Sequence, residues 1–198
     1  LPDGEALLSF SPELFVRHAA GTLVARPMKG TAPASGDDAA DAQRAGELAQ
    51  DPKNRAENLM IVDLLRNDLG RIAVTGSVQV PALFEVKRYG AVLQMTSTVE
   101  ARLRPDATLE ALFAALYPCG SITGAPKRRT MEIIHELEPA PRGIYTGAIG
   151  WFDPPSDGAA FGAQFGDFCL SVPIRTLALG APQGGTRRGE LGVGAGIV

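Results

Sequence analysis

A glycine-rich loop that runs into a helix is the first feature of this sequence that could perform chemistry. Residues 120–127 read GSITGAPK, and the pattern predicts that a helix opens at Pro126. Backbone N–H groups and the dipole at a helix start favour an anion, and Lys127 adds a positive charge. The segment is not a Walker loop, because it lacks the Gly-Lys-Ser/Thr ending. An ordinary loop–helix junction without a ligand remains the alternative.

A second candidate for anion binding is Arg175, which lies in the apolar segment 172–176 (VPIRT), predicted to be a strand. An arginine there can clamp a carboxylate through two parallel hydrogen bonds. The alternative is an arginine at a sheet edge that faces water.

The sequence positions of two carboxylates and one lysine do not by themselves decide what these side chains do. Glu13 has a strand-like context, and Glu57 lies on the helix predicted to begin near Asp51. Each could be a general acid, a metal ligand or a surface charge, and surface charge is the commonest state of a carboxylate. Lys29, beside Gly30, has the pattern of a solvated loop lysine.

Short strands and helices at irregular spacing must position these side chains. We predict helices over residues 41–50, 51–70, 109–117 and 126–137. We predict strands over residues 6–10, 14–18, 22–26, 77–80, 83–89, 92–103, 144–152, 165–179 and 189–198. Residues 32–40 and 121–125 are predicted to be loops. Strand blocks between such helices predict an α+β fold with largely antiparallel sheets.

The helix predicted over residues 51–70 carries the strongest local signals. Asp51 is a good N-cap, Pro52 suits the first helical position, and Gly70 suits the end. Its apolar stripe at helical spacing consists of Leu59, Val62, Leu65 and Leu69.

Composition limits the possible functions. The chain has 198 residues, of which 45% are apolar and 21% charged, which argues against disorder. A net charge of −3 gives no overall attraction to nucleic acid. Its two cysteines are far apart and form neither a disulfide framework nor a metal-ligand pattern. We find no signal peptide and no apolar run of about 20 residues, so we expect a cytoplasmic protein.

Both ends of the sequence suggest a segment of a longer protein. The chain opens at Leu1 without a methionine, and it closes on the apolar, glycine-rich residues 194–198. We therefore expect further sequence on both sides.

Seven blocks, taken in order, resemble the chorismate-utilising enzymes, a family that includes anthranilate, aminodeoxychorismate, isochorismate and salicylate synthases. The longest is the segment ENLMIVDLLRNDLGR at residues 57–71. The others are SPELF (11–15), RPMKGT (26–31), CGSITGAPK (119–127), GIYTGAIG (143–150), IRT (174–176) and GAGIV (194–198). Together they extend over essentially the whole chain.

The resemblance implies a fold of two packed, largely antiparallel β-sheets with helices outside, and chorismate and Mg²⁺ bound in the cleft between the sheets. Residues 1–198 would form a chorismate-binding catalytic domain without its N-terminal part. It would also lack a C-terminal helix that carries the remaining Mg²⁺ ligands.

The resemblance also implies roles for individual residues. Tyr145 and Arg175 would hold the ring carboxylate, and Glu57 would be a Mg²⁺ ligand. The remaining substrate-binding positions would be Thr123, Gly124, Lys127, Gly194, Ala195 and Gly196.

Lys29 distinguishes members of the family, because aminodeoxychorismate synthases carry lysine there and anthranilate and isochorismate synthases usually carry alanine. The implied mechanism is covalent. The Lys29 amine attacks C2 of chorismate while Glu13 protonates the departing 4-hydroxyl, and ammonia then adds at C4 and expels the lysine. The product would be 4-amino-4-deoxychorismate, on the route to folate, with ammonia supplied by a glutamine amidotransferase subunit.

The sequence departs from the family pattern at two positions within the chain. Asn54 stands one turn before Glu57, where relatives usually carry an acid, which would weaken metal binding. Gln94 stands where anthranilate synthases carry a histidine associated with pyruvate elimination, so its presence fits an enzyme that keeps the enolpyruvyl group. Anthranilate synthase, and a non-catalytic fragment that only binds chorismate, remain the alternative functions.

Overall fold

The computed structural model describes residues 1–155 and 165–194, and this part of the chain forms two antiparallel sheets with five α-helices. The helices are α1 (Asp38–Gln50), α2 (Pro52–Gly70), α3 (Leu109–Leu116), α4 (Gly120–Thr123) and α5 (Lys127–Leu137). The strands are β1 (Ala6–Ser9), β2 (Leu14–Ala19), β3 (Thr22–Arg26), β4 (Met28–Pro33), β5 (Gln79–Tyr89), β6 (Val92–Arg102), β7 (Ile149–Phe152), β8 (Phe168–Ser171), β9 (Thr176–Leu179) and β10 (Gly189–Leu191). A short 3₁₀ turn spans Pro2–Gly4. The predicted α+β class with antiparallel sheets is confirmed.

The larger sheet is organised around the long strand β6. Its order is β4-β6-β3-β2-β8-β7, and β5 pairs with the other edge of β6. Both β3 and β4 lie on one side of β6, with β3 beside its C-terminal half and β4 beside its N-terminal half. The strand is therefore interrupted at Pro27, between β3 and β4, and both strands pair with the same edge of β6. This arrangement brings Lys29 next to the middle of the sheet.

The smaller sheet has the order β1-β9-β10, and the chain enters it directly from the larger sheet. Residues 172–175 connect β8 of the larger sheet to β9 of the smaller one. The single strand predicted over residues 165–179 is therefore wrong, because the backbone leaves one ladder and joins another. Arg175 lies at this crossing and is exposed, and the prediction that it sits within a strand is corrected accordingly.

The core lies between the larger sheet and helices α2 and α3. Its fully buried side chains include Phe15 and Leu23 from the sheet, Ile61 and Leu69 from α2, and Leu112 from α3. Burying a side chain of this size contributes roughly 1.5–3 kcal/mol. These contacts hold α2 against the strands that precede and follow it in sequence.

Helix α2 begins and ends as predicted, and three residues of the predicted stripe are buried, namely Val62, Leu65 and Leu69, whereas the fourth, Leu59, is not. The Asp51 side chain accepts a hydrogen bond from the Asn54 N–H at 2.8 Å, which confirms it as the N-cap. Leu59 is 44% exposed, whereas Asn58 is fully buried. Asn58 accepts a hydrogen bond from the Ser97 hydroxyl on β6, so a polar contact between helix and sheet takes a core position.

Strand β4 was not predicted, and it contains a β-bulge at the lysine. Met28 pairs with Thr96 and Thr31 pairs with Gln94, so Lys29 and Gly30 together lie opposite the single residue Met95. An extra residue in one strand interrupts the ladder and redirects a side chain. Lys29 therefore belongs to a distorted strand of the sheet, and its interpretation as a loop lysine is wrong.

Other boundaries differ where small residues or bulges obscure the pattern. Residues 120–123 form the single helical turn α4 instead of a loop, and β5 runs without a break through two register shifts. Helix α1 begins at Asp38, and β7 begins only at Ile149. The last strand includes Gly189–Leu191, and residues 195–198 of its predicted range lie outside the described part of the chain. No helix among the described residues is long and apolar enough to cross a membrane.

Candidate active site

A cavity of about 680 Å³ brings together residues from five of the seven sequence blocks. Lys29 from β4, Ser121 from α4, Tyr145, Arg175 and Gly194 all line it. The remaining lining residues are Ile122, Glu138, Arg142, Thr146, Ile174, Gly192 and Val193. Because these blocks are far apart in sequence, the fold alone creates this juxtaposition.

The bulge in β4 holds Lys29 half-buried at the cavity wall. Its ammonium nitrogen Nζ donates a hydrogen bond to the carbonyl oxygen of Ser121 at 3.4 Å. Gly30 has a φ of +89°, and a Cβ there would lie 3.1 Å from three side-chain atoms of Asn54. Glycine is therefore required next to the lysine, by both its backbone conformation and the packing of α2 against β4.

Glu13 is a buried carboxyl beside this cavity. It is 6% exposed, and its Oε1 atom has no hydrogen-bond partner. Burial raises the pKa of Glu13 above its usual value of 4.5, although Ser121, Lys29 and Arg175 oppose the shift. A carboxyl that retains its proton to higher pH can serve as a general acid, as the resemblance implied.

Ser121 connects the lysine and the carboxyl. Its carbonyl accepts a hydrogen bond from Lys29, and hydrogen bonding by its side chain lowers the pKa of Glu13 against the larger effect of burial. Its Oγ also lies 3.2 Å from the Cys119 sulfur. Burial raises the pKa of the Cys119 thiol to about 12, so this thiol stays protonated at neutral pH and is a poor nucleophile.

The Tyr145 ring packs directly on the backbone of the last described residues. A Cβ at Gly192 would lie 2.3 Å from the ring, and a Cβ at Gly194 would lie 2.6 Å from the phenolic oxygen. Both positions therefore require glycine in this arrangement. The structure brings Gly194 to the cavity, whereas Ala195 and Gly196, also predicted to bind substrate, lie outside the described residues.

A second arginine, Arg142, lies near Arg175 on the cavity wall, but it is already paired. Its Nε atom donates to Glu138 at 2.8 Å, and a second guanidinium nitrogen contacts the other carboxylate oxygen. This bidentate pair raises the pKa of Arg142 and lowers the pKa of Glu138. Arg175 has no side-chain ion pair among the described residues, so its guanidinium is the one available to a ligand carboxylate.

Lys127 does not line the cavity. Its ammonium forms an ion pair with the buried carboxylate of Asp68 on α2 and also donates to the Leu116 carbonyl at 3.1 Å. Thr123 is buried and lines a neighbouring cavity of about 620 Å³ that shares Tyr145 and Thr146 with the first. Gly124 ends α4 with a φ of +87°. The roles of these three residues in substrate binding remain predictions.

Glu57 is the predicted metal ligand, and in the described part of the chain it belongs to no group of three potential ligands from His, Cys, Asp and Glu. Its side chain is 25% exposed and lies 3.8 Å from the Lys53 ammonium. Within residues 1–155 and 165–194, no three His, Cys, Asp or Glu side chains form a group that could hold a metal ion. Asn54, one turn earlier, donates its side-chain amide to Asp51 at 2.7 Å and is thus engaged in capping α2. The described residues therefore offer one carboxylate and no complete metal site.

Sequence reasoning missed Ser121, Arg142 and Gly192 as cavity residues. Ser121 and Arg142 lie in or beside blocks that carry the resemblance. Neither residue type indicates by itself that the residue will contact a distant part of the chain. Gly192 stands two residues before Gly194, and only the packed Tyr145 ring explains it. Three-dimensional contacts decide these assignments.

Comparison with known proteins gives a consistent match. A model of the chorismate binding enzyme family matches residues 1–198. Aminodeoxychorismate synthase component 1 of Salmonella typhimurium is 54% identical over 177 residues, which is 89% of this chain and 37% of that protein. An anthranilate synthase component 1 of Haloarcula marismortui is 44% identical over 98% of this chain and 37% of that protein.

The fold has a solved counterpart. The crystal structure of anthranilate synthase component I from Streptococcus pneumoniae superposes with a TM-score of 0.74 at 36% identity, covering 90% of this chain and 36% of that one. The chain therefore spans little more than a third of the length of each of these three relatives.

Proposed function

The chain belongs to the chorismate-binding enzyme family, and on that premise we propose that it carries the catalytic lysine and acid of an aminodeoxychorismate synthase component 1. The observation that supports this choice is that Lys29, on the cavity wall, and the buried Glu13 carboxyl, which does not line the cavity, both interact with Ser121. A protein of that name from Salmonella typhimurium is 54% identical to this chain, which supports the choice.

In the proposed reaction, Lys29 and Glu13 act on opposite ends of one displacement. The Lys29 amine forms a bond to C2 of chorismate, the ring double bonds shift, and the bond from C4 to its hydroxyl oxygen breaks. Glu13 gives its proton to that oxygen, so water departs instead of hydroxide. Ammonia then adds at C4, the double bonds shift back, and the bond from C2 to the lysine nitrogen breaks. The ammonium formed at C4 gives one proton back to the Glu13 carboxylate, so the lysine amine and the acid are both restored, and the product is 4-amino-4-deoxychorismate.

Substrate binding in this proposal uses the cations and glycines of the cavity wall. The free guanidinium of Arg175 would take the ring carboxylate through paired hydrogen bonds, with the Tyr145 hydroxyl beside it. Backbone N–H groups near Gly194 would bind the second carboxylate. Arg142 would keep its hydrogen bond to Glu138, so it would form part of the cavity wall without pairing with a substrate carboxylate.

We further propose Mg²⁺ as the cofactor, with Glu57 as one of its ligands. When bound, the ion would neutralise a substrate carboxylate. Glu57 would supply one carboxylate ligand, and water and the substrate carboxylate would supply others, as is usual for Mg²⁺. Ammonia would be supplied by a glutamine amidotransferase partner, which agrees with the component 1 in the names of relatives.

The test of this proposal uses the full-length protein with its amidotransferase, glutamine, chorismate and Mg²⁺. We expect Lys29→Ala to reduce formation of aminodeoxychorismate by at least about a thousandfold, because a nucleophile has no substitute in the site. We also expect mass spectrometry of the wild-type protein, incubated with chorismate without an ammonia source, to find the adduct on the peptide containing Lys29. Full activity of Lys29→Ala would refute the covalent mechanism.

Anthranilate synthase is the second candidate function, because a relative of that name is 44% identical over nearly the whole chain. The two activities have different products. Anthranilate is fluorescent and its formation releases pyruvate, whereas aminodeoxychorismate keeps the enolpyruvyl group. Fluorescence and pyruvate release in the same assay would select the second candidate.

A further inference from the structure

The bulge in β4 leaves the backbone beside Lys29 without its regular sheet partners. Two residues, Lys29 and Gly30, lie opposite Met95 alone. A bulge interrupts the ladder, so an additional contact must satisfy the freed backbone groups. The Gly30 carbonyl is one such group.

Gln94 on β6 provides that contact with its side chain. Its amide nitrogen Nε2 donates to the Gly30 carbonyl oxygen at 2.9 Å, and its oxygen Oε1 accepts from the Thr31 hydroxyl at 2.9 Å. Gln94 is 9% exposed, so these bonds are largely shielded from water. One side chain thus fixes two consecutive residues directly after the lysine.

Helix α2 restrains the same glycine from another direction. The Asn54 side chain lies against Gly30, and it is itself fixed by its bond to Asp51. On the other flank of the bulge, the Ser97 N–H donates to the Pro27 carbonyl at 3.2 Å. The lysine backbone is therefore held before and after the bulge, and Gln94 supplies the only side-chain hydrogen bonds to residues 30 and 31 in the described part of the chain.

We propose that Gln94 is a positioning residue, which sets the direction of the Lys29 side chain by holding the bulge through Gly30 and Thr31. This inference rests on the proposed function for its catalytic consequence. Without the Gln94 bonds, the bulge can relax, and the amine leaves the carbonyl of Ser121 for solvent. A nucleophile displaced by about 1 Å can lose roughly a hundredfold in rate.

Three substitutions in the full-length protein separate the two bonds. Gln94→Met removes both at similar side-chain length. Gln94→Glu keeps an acceptor for the Thr31 hydroxyl but places a carboxylate oxygen against the Gly30 carbonyl oxygen. Thr31→Val removes only the hydrogen bond between Thr31 and Gln94. Gln79→Met, an exposed residue at the start of β5, is the matched control.

Two readouts are needed, one of which does not depend on turnover. The first is kcat and KM for aminodeoxychorismate formation. The second is the rate at which reductive methylation labels Lys29, measured by peptide mass spectrometry relative to the exposed Lys53 in the same sample. If Gln94 only stabilises the fold, its substitution would alter the unfolding temperature without changing kcat, KM or the labelling of Lys29 relative to Lys53.

We expect Gln94→Met and Gln94→Glu to lower kcat about tenfold to a hundredfold with KM changed less than about threefold. We expect both to raise the relative labelling of Lys29 at least about threefold, while Thr31→Val has a smaller effect and Gln79→Met has none. Unchanged Lys29 labelling in Gln94→Met would overturn the proposal. If the wild type makes no aminodeoxychorismate but the labelling changes as expected, the positioning role stands and the proposed function fails.

Discussion

Two regions of this molecule place a lysine near a buried carboxyl, but only one of them joins the two groups in an ion pair. At the C-terminal end of α2, Asp68 and Lys127 are in direct contact, and Lys127 also bonds the Leu116 carbonyl. At the cavity, Glu13 keeps one oxygen without a partner, and Lys29 reaches only a carbonyl, at 3.4 Å.

The difference separates a pair whose bonding is complete from a pair that could still interact with a ligand. A buried charge that has its partner and its hydrogen bonds is stable where it is, and it has no capacity left for a ligand. A buried carboxyl without a complete set of partners is unfavourable, and its pKa rises. Such groups persist where they serve chemistry, so the contrast favours Glu13 and Lys29, and not Asp68 and Lys127, as the reacting groups.

The largest expected effect concerns the acid at the cavity. We expect Glu13→Gln to lower kcat for aminodeoxychorismate formation by about 10²- to 10⁴-fold, the range of general acid catalysis, because glutamine cannot give the leaving hydroxyl a proton. Steady-state kinetics of the full-length protein measure this. Asp68→Asn is the matched substitution in the other region, and a similar loss of kcat in a well-folded Asp68→Asn protein would break the comparison.

The second effect is on stability and should appear in the other region. We expect Lys127→Met to reduce the free energy of unfolding by about 3–5 kcal/mol, because it leaves the buried Asp68 carboxylate without a cation and with only the Asn67 amide, at 3.4 Å, as a side-chain donor. Lys29→Met makes the same chemical change at the cavity, and we expect it to alter stability by less than about 1 kcal/mol, since no buried ion pair is broken. Denaturant unfolding of both variants is the measurement, and equal losses would contradict the distinction.

The smallest effect is a gain in stability from removing the reactive carboxyl. Folding raises the pKa of Glu13, so its contribution to stability is fully present below 4.5 and is lost as pH rises through the folded value. Each unit of elevation corresponds to about 1.4 kcal/mol. We therefore expect Glu13→Gln to unfold at a higher temperature than the wild type at pH 8, and at nearly the same temperature at pH 4. A lower unfolding temperature at pH 8 would show that the carboxylate is well solvated.

The sequence predicted the parts of this fold that depend on local signals. Helix α2 follows from its cap at Asp51, its Pro52 and its Gly70, and the strand predicted over residues 92–103 matches β6. Strand β4 was missed because proline and glycine interrupt its pattern, and the bulge that they permit is visible only against β6. The break after β8 was missed because the apolar residues around it continue across a change of sheet.

The candidate site was predictable to a different degree. Resemblance to a family named Lys29, Tyr145, Arg175 and Gly194, and the fold brings those four to one cavity. It also named Lys127, whose engagement with Asp68 depends on a contact across 59 residues of sequence. Ser121 and Gln94 act through backbone carbonyls, and no residue pattern along the chain reveals which carbonyl a side chain will meet.

The bulge at Lys29 makes the site sensitive to the number of residues in β4 as well as to their identity. Because Met28 pairs with Thr96 and Thr31 pairs with Gln94, the bulge accommodates one extra residue without disturbing the register on either side of it. Deleting Gly30 would leave both of those pairs in place and set Lys29 directly opposite Met95, which is fully buried. Residues directly opposite each other in a ladder lie on the same face of the sheet, so a single in-frame deletion would turn the lysine toward the Met95 face while every side chain of the candidate site was still encoded.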